Sequence, residues 1–387
     1  MTTAAKRQAG TMTEVRPGVW RLRVVVGKHA NGHPRQASAT FHGGPRAARI
    51  KLAEMVAARG RLTATSYTVE GLLDDFIAHC EAIGRSPTTT DKYKQIAESV
   101  ITPELGKVRL SKLTARQLDA LYAKLTAKGN AATTVRRVHA LISVALHQAE
   151  KWGLIDRSIA RQATPPPVHT IEPKAPTREE VVAIIMAAAA DDPMFADLFA
   201  LAALTGARRG ELCGLRWADW DRGAGTLLIE RSVYETGGGS WGVKAVKNYA
   251  SRTVTLDESA LGALGRRWEA ATDLADRLGA ELADDGYIFS PWPGGIAPVM
   301  PGKVSKVFAT AAESAGVEAH LHLLRHWAAT EMVGAGVPIP TVAKRLGHRD
   351  SSVTLRVYSH ALPAQDAAAA EMLGRSLRLQ GELPAGA

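Results

Sequence analysis

Alternating apolar and basic residues mark the start of the chain. Residues 18–26 place large apolar side chains at every second position, which is the period of a half-buried strand. The Asn-Gly pair at residues 31–32 indicates a turn, and residues 35–41 fit a return strand. Residues 11–15 can add a third strand. The pattern therefore predicts a small antiparallel sheet.

A helical period follows this sheet. Pro45 suits a first helical position, and the predicted helix runs to about residue 61. Its apolar stripe consists of Ile50, Leu52, Met55 and Val56. Three strands and a helix over residues 1–61 are consistent with one small domain.

Residues 66–163 read as helices joined by short loops. Predicted helices begin at Thr68, at the Ser86-Pro87 pair, at Thr114 and at residues 131–134. Their apolar positions are Leu72, Leu73, Phe76 and Ile77, then Tyr93, Ile96 and Val100, then Leu118, Leu121 and Leu125, and finally Val135, Val138, Leu141, Ile142, Val144 and Leu146. Four or five helices of this length predict a small bundle.

Prolines mark the next boundary. Residues 165–167 are all proline, which stiffens an extended chain and predicts an interdomain strap. Thr177 and Glu180 then form a capping-box pattern that opens a third domain over residues 175–387. This domain is mostly helical, with one β region between residues 225 and 256. The predicted fold class is therefore α+β multidomain: a small N-terminal three-stranded β-sheet plus helix, a helical bundle, and a mostly α domain with a small β-sheet.

The N-terminus, the apolar runs and the cysteines indicate in which cellular compartment the protein works. The first ten residues lack the apolar core of a signal peptide, and the longest apolar run, residues 181–190, is too short to cross a membrane. Cys80 and Cys213 are far apart and belong to no metal-binding spacing. We therefore expect a cytoplasmic protein with no membrane partner, no zinc site and no disulfide framework.

Charge is unevenly distributed. Residues 1–65 carry 12 Lys and Arg against 2 Asp and Glu, whereas residues 171–387 carry 22 against 26. A short segment with this excess indicates a nucleic-acid contact surface. A cytoplasmic protein with such a surface would be nucleoid-associated when bound to DNA. A solvated basic tail is the alternative.

Candidate chemistry lies in separate segments of the third domain. They are Arg208 within TGARRGE at residues 205–211, Lys247, the His322-x-x-Arg325 box, His348 after Gly347, and Tyr358. Cutting a phosphodiester without a metal requires fixed donors for the extra negative charge of the transition state. Arginine suits this because its planar fork binds two phosphate oxygens and keeps its proton. The set predicts metal-free phosphoryl transfer to a tyrosine.

These segments, in this order, resemble the tyrosine recombinases of the phage integrase family. The resemblance implies two catalytic arginines, Arg208 and Arg325, and a nucleophilic Tyr358 that forms a 3′-phosphotyrosyl intermediate. It implies further roles for four residues: Lys247 as general acid, His322 as proton acceptor, His348 as phosphate ligand, and Glu211 as the acid that orients an arginine. No cofactor and no metal would be needed.

The first two domains extend the resemblance. The β-sheet domain is similar to the arm-site DNA-binding domain of phage integrases, with Arg21, Arg23, Lys28 and Arg35 as candidate DNA contacts. The bundle is similar to the family's core-binding domain, with Arg136 and Arg137 as candidate phosphate contacts. A structural appendage and a generic bundle stay open as alternatives.

The resemblance also implies partners. It predicts four protomers on double-stranded attachment sites, a C-terminal helix over residues 367–379 that packs on a neighbouring protomer or on its own, and a possible host DNA-bending factor and excisionase. Three other functions remain open: a type IB topoisomerase, a Xer-type chromosome or plasmid resolvase, and a non-catalytic DNA-binding protein.

Overall fold

A computed structural model describes residues 10–28, 34–57, 67–168, 174–237, 239–246, 251–347 and 371–373. At residues 26–28, 34–37 and 57 it describes the backbone only. The chain divides into two compact units, residues 1–170 and 171–387. The first unit contains two separate hydrophobic cores. A further domain boundary at residues 61–66 stays a prediction.

An antiparallel sheet and one helix form the first core. The strands are β1 (Gly10–Arg16), β2 (Val19–Lys28) and β3 (Pro34–His42), in the order β1-β2-β3, and the helix is α1 (Pro45–Ala57). Leu22 and Val24 on β2 are fully buried and share this core with Ala48 and Met55 of α1. The predicted sheet and helix are confirmed. The predicted place of Ile50 in the apolar stripe is wrong, because its side chain is 57% exposed and Ala48 faces the sheet instead.

Helices form the second core of this unit. They are α2 (Val69–Ala82), α3 (Pro87–Ile96), a π-helical turn (Ala97–Ile101), α4 (Thr102–Leu105), α5 (Ala115–Ala127) and α6 (Ala132–Lys151). Thr68 and Thr114 accept hydrogen bonds from the helix ends they cap, as predicted. Ser86 does not cap α3, because its hydroxyl pairs with that of Thr88 at 3.1 Å. Val144 is 40% exposed, so its predicted core position is wrong.

The proline strap lies against this bundle. Arg136 on α6 donates from Nε to the carbonyl oxygen of Pro166 at 2.9 Å. The backbone N–H of Thr164 donates to Asp119 Oδ1 on α5 at 2.7 Å. The first part of the strap is therefore bound to the helices that precede it.

The second unit is built around one buried helix. Its helices are α7 (Arg178–Asp191), α8 (Pro193–Thr205), α9 (Arg209–Cys213), α10 (Glu258–Leu278), α11 (Pro301–Ser314), α12 (His322–Gly334) and α13 (Ile339–Leu346). Helix α8 contacts α7, α10, α11 and α12. Thr177 and Glu180 form the predicted capping box of α7. Val182 and Met186 of the same helix are exposed, so only one face of the apolar run is buried.

Short strands complete the second unit. They are β4 (Trp220–Asp221), β5 (Thr226–Ile229), β6 (Arg231–Glu235), β7 (Trp241–Ala245) and β8 (Arg252–Thr255). Among the described residues they form two sheets, β4-β5-β8 and β6-β7. The predicted β region is confirmed, and the structure divides it into these two sheets: β5 pairs with the distant β8, and β6 pairs with its hairpin partner β7.

Candidate active site

A sharp turn ends α8 and begins the site. Gly206 has a left-handed backbone, with φ 65°, and a β-carbon there would lie 2.4 Å from Cδ2 of Leu346. Glycine is required both for the conformation and for the close approach of α13. The hydroxyl of Thr205 donates to a carbonyl one turn earlier and accepts from the N–H of Ala207 at 3.2 Å. The turn leads directly to Arg208.

Arg208 stands immediately before α9 and contacts two other segments. Its Nη1 donates to Glu211 Oε1 at 2.8 Å, and its backbone N–H donates to Glu211 Oε2 at 2.9 Å. Its Nη2 donates to the carbonyl oxygen of Gly347 at 3.1 Å. The side chain is 30% exposed and can meet a ligand that arrives from solvent. These contacts are what an orienting role of Glu211 would require.

Arg325 lies in the first turn of α12, with only 4% of its surface exposed. Its Nη1 donates to the carbonyl oxygen of Gly206 at 2.6 Å. Carbonyl groups at the end of a helix carry partial negative charge, so this end of α8 stabilises a guanidinium. The turn at Gly206 therefore brings together the two predicted catalytic arginines, Arg208 and Arg325.

Glu211 is shared between two guanidinium groups. Its side chain is 2% exposed, and Oε2 also accepts from Arg252 Nη2 at 2.7 Å. Burial by itself would raise the pKa of the Glu211 carboxyl, but Arg252 and then Arg208 hold that pKa below its usual range. The carboxylate is therefore ionised, and its charge is compensated from both sides.

Arg252 was not among the residues predicted from the sequence. It begins β8, in which buried and exposed positions alternate, and it occupies a buried one. An arginine at an inward position of an alternating strand is the signal that could have identified it, because a buried charge requires a partner.

Further hydrogen bonds hold the end of α13. Arg252 donates from Nε to the carbonyl oxygen of Arg345 at 2.7 Å. Arg345 in turn donates to the carbonyl oxygens of Thr255 and Leu204, each at 3.1 Å. Strand β8 and the last turn of α8 are thereby joined to the last turn of α13. Gly347, whose carbonyl binds Arg208, ends this helix with φ 67°.

His322 is the first residue of α12 and has an exposed side. Its pKa is nevertheless lowered to about 4, first because neighbouring atoms partly desolvate the ring and then because of nearby positive charge on Arg325, on His320 and His326, and last on Arg208. The imidazole is therefore neutral at pH 7, the form that can accept a proton.

Three predicted site residues lie outside the described part of the chain. They are Lys247, His348 and Tyr358. The structure describes residues next to two of them in sequence: Val246 is buried before Lys247, and Gly347 binds Arg208 immediately before His348. The predicted C-terminal helix over residues 367–379 also lies outside this part, apart from three helical residues, 371–373.

Three other basic residues close in sequence to these motifs have contacts elsewhere. Arg209 donates to the hydroxyl of Ser305. Arg216 lies over the ring of Tyr287, with its guanidinium carbon 5.0 Å from the ring centre. Lys244 lies over the ring of Tyr234. None of these contacts involves Arg208, Glu211 or Arg325.

Four of the six candidate DNA contacts in the first unit have described side chains, and all four are exposed. Arg21 and Arg23 alternate with the buried Leu22 and Val24, so they lie on the face of β2 that points away from α1. Arg136 and Arg137 are exposed on α6. The side chains of Lys28 and Arg35 lie outside the described part, although the backbones of both belong to β2 and β3.

No helix in the described part of the chain is both long and apolar enough to span a membrane. Among the same residues, no group of three or more His, Cys, Asp or Glu side chains is arranged to hold a metal ion.

Comparisons with known proteins agree on one family. Residues 176–365 match the phage integrase family, and residues 68–126 match the N-terminal SAM-like domain of phage integrases. Tyrosine recombinase XerD of Mycobacterium leprae is 30% identical over 241 residues, 59% of this chain and 70% of that protein. ICEBs1 integrase of Bacillus subtilis is 25% identical over 306 residues, 78% of this chain and 81% of that protein.

Solved structures share the fold. A Tn1549 transposon integrase in complex with a circular intermediate DNA has a TM-score of 0.64 at 18% identity, covering 80% of this chain and 100% of that one. A lambda integrase tetramer bound to a Holliday junction has a TM-score of 0.59 at 17% identity, covering 92% of this chain and 96% of that one.

The chain is a tyrosine-type recombinase by fold and by sequence. It belongs to the phage integrase family, which confirms the resemblance carried by the motifs of the third domain.

Proposed function

We propose that this recombinase cleaves and rejoins DNA at specific sites through a covalent 3′-phosphotyrosyl bond to Tyr358. The observation that carries the proposal is the convergence of Arg208 and Arg325 at the Gly206 turn. Two fixed guanidinium groups supply the charge stabilisation that a pentacoordinate phosphate requires. The ionised Glu211 beside Arg208 supports this geometry.

Activation of the tyrosine requires a base. A phenol with a pKa near ~10 is a weak nucleophile at neutral pH, so proton acceptance or nearby positive charge must assist it. His322 is neutral at pH 7, so a ring nitrogen is free of its second proton and can accept one, and Arg325 lies one turn further along the same helix. We assign His322 as the proton acceptor and Tyr358 as the nucleophile.

The remaining groups act on the phosphate and on the leaving oxygen. Lys247 is assigned as the general acid that protonates the departing 5′ oxygen. His348 is assigned as a ligand of the scissile phosphate, because it follows Gly347, whose carbonyl binds Arg208. The phosphotyrosyl bond conserves the energy of the phosphodiester, so rejoining needs neither ATP nor a metal.

The biological setting that we infer is integration and excision of a phage or another mobile element. The basic sheet and helix over residues 10–57, with Arg21 and Arg23 on the exposed face of the sheet, support binding to an arm site distinct from the crossover core. Arg136 and Arg137 would contact phosphates of the core site. We propose that four protomers act on two duplexes. A host DNA-bending factor and an excisionase are the further partners that we infer.

A Xer-type resolvase is the second candidate. Relatives named XerC-like, XerA and XerD are among the similar proteins. The basic β-sheet domain favours an integrase, because a site-specific recombinase that uses only core sites has no need of a separate arm-binding surface.

The deciding experiment is covalent trapping on a nicked suicide duplex selected from a randomised pool by capture on the wild-type chain. In EDTA and without nucleotide, the wild-type chain should form a covalent complex, and Tyr358→Phe should form none while binding DNA normally. Tyr249→Phe is the matched control and should still be trapped. A covalent complex on Tyr358→Phe, or a strict magnesium requirement for cleavage, would contradict the assignment.

A further inference from the structure

Arg252 places a charge in the interior of the second unit. Its side chain is only 4% exposed, and it shares the inward face of β8 with Val254. A buried guanidinium is costly unless it is paired, and an apolar side chain of similar size would be accommodated more easily. The arginine therefore indicates a requirement beyond filling space.

The fork of Arg252 joins two segments of the site. Its Nη2 binds Glu211, and its Nε binds the carbonyl oxygen of Arg345, both at 2.7 Å. The same carboxylate binds Arg208, and Arg208 reaches back to Gly347. Arg208, Glu211, Arg252 and the end of α13 thus form a closed ring of contacts.

The third nitrogen packs directly under the turn after α13. A β-carbon on Gly347 would lie 2.7 Å from Nη1 of Arg252. Within the described part of the chain, this Nη1 has no hydrogen-bond acceptor. Packing against Gly347 therefore holds that edge of the guanidinium, and the turn cannot move toward β8 without displacing it.

We propose that Arg252 is a positioning residue of the recombination reaction. Through Glu211 and through the end of α13, it determines where the Arg208 guanidinium lies relative to Gly347. This inference rests on the proposed function, in which Arg208 binds the scissile phosphate.

Electrostatics adds a second reason for an arginine at this position. A single carboxylate beside Arg208 would cancel the positive charge that the phosphate needs. Because Glu211 is shared with Arg252, the three side chains together keep one net positive charge. Lysine could keep this charge but cannot span both acceptors, since it carries one nitrogen instead of a planar fork.

The test compares Arg252→Lys with Arg266→Lys. Arg266 is the control because its Nε and Nη2 also bind a buried carboxylate, that of Asp197 in the first half of α8, away from the Gly206 turn, although the Arg266 side chain itself is 63% exposed. Single-turnover cleavage of the selected suicide duplex is measured at saturating protein, together with the Kd for the same duplex and the Tm. Arg252→Lys should slow cleavage by about tenfold or more with Kd changed by less than about threefold, and Arg266→Lys should cleave like the wild type.

A double-mutant cycle separates positioning from general damage. Glu211→Gln should slow cleavage, and adding Arg252→Lys to it should cost little more, because both act through the same contact. Cleavage by Arg252→Lys at the wild-type rate, or fully additive effects, would overturn the inference. If Arg252→Lys does not fold, Glu211→Gln decides alone, and cleavage by it at the wild-type rate overturns the inference. If the wild-type chain forms no covalent complex, the proposed function itself fails.

Discussion

Arg325 donates from Nη1 to the carbonyl oxygen of Gly206 at 2.6 Å, across 119 residues of sequence. The contact closes the end of α8 with a guanidinium from α12 and brings the second predicted catalytic arginine to the turn that precedes the first. The position of one arginine therefore depends on the backbone that presents the other.

Removal of either arginine should abolish most cleavage. We expect Arg208→Ala and Arg325→Ala each to cost about 3–4 kcal/mol of transition-state stabilisation, the loss typical of one oxyanion donor. Single-turnover cleavage rates on the suicide duplex measure this. Arg216→Ala, which removes an arginine stacked on Tyr287, should cleave normally. Equal losses in all three variants would contradict the assignment. Measuring the Tm of Arg325→Ala separates a loss of stability from a loss of transition-state stabilisation.

His322 should titrate far below an ordinary histidine. Its pKa of about 4 in the free protein lies below the ordinary value of ~6.5, so the unfolded chain binds the proton more readily between these values. The contribution of His322 to stability is thus fully present above pH ~6.5 and is lost as pH falls toward 4. Nitrogen-detected NMR titration should show this midpoint.

A variant makes the histidine prediction specific. His322→Asn should reduce the dependence of the free energy of unfolding on pH between about 6.5 and 4. It should also slow cleavage at neutral pH. A midpoint for His322 near the ordinary histidine value in the free protein would show that the ring is not desolvated as described.

Gly206 should not tolerate alanine. The substitution introduces a β-carbon 2.4 Å from Leu346 and requires a left-handed backbone, which costs about 1–3 kcal/mol. Gly265→Ala is the opposite control, because this helical position has open space around it. Alanine there should raise the free energy of unfolding by about 0.5–1 kcal/mol. Chemical denaturation measures the free energy of unfolding of both variants, which should fall for Gly206→Ala and rise for Gly265→Ala. Equal effects would contradict the close packing of α13 on the turn.

Arg21 and Arg23 should contribute to DNA binding through the exposed face of β2. Replacing both with alanine should weaken binding to a full attachment site and reduce the slope of log Kd against log salt by about 0.9 for each phosphate that the protein no longer neutralises. Arg46→Ala with Arg49→Ala removes the same charge from the helix layer and should change the slope less.

Deletion of residues 1–61 extends this test to the whole domain. The truncated chain should still cleave short core duplexes but should fail to recombine full attachment sites. Normal recombination of full sites by the truncated chain would show that the sheet is a structural appendage.

Much of this protein follows from local sequence patterns. Strand alternation over residues 18–26 and the caps at Thr68, Thr114 and Thr177 predict elements that the structure contains. The motifs of the third domain identify the family, because residue type and order are properties of the chain itself. Lys247, His348 and Tyr358 keep their predicted roles as predictions.

Only the tertiary structure decided which distant residues meet. Ile50 and Val144 are exposed because of how their helices pack on neighbours far away in sequence. The pairing of β5 with β8 also joins distant parts of the chain. Arg252 is the clearest case, because a strand pattern gives its inward direction but not the carboxylate that it meets 41 residues away. Hydrophobic period and capping are local properties, whereas the partner of a buried charge is determined by packing between elements.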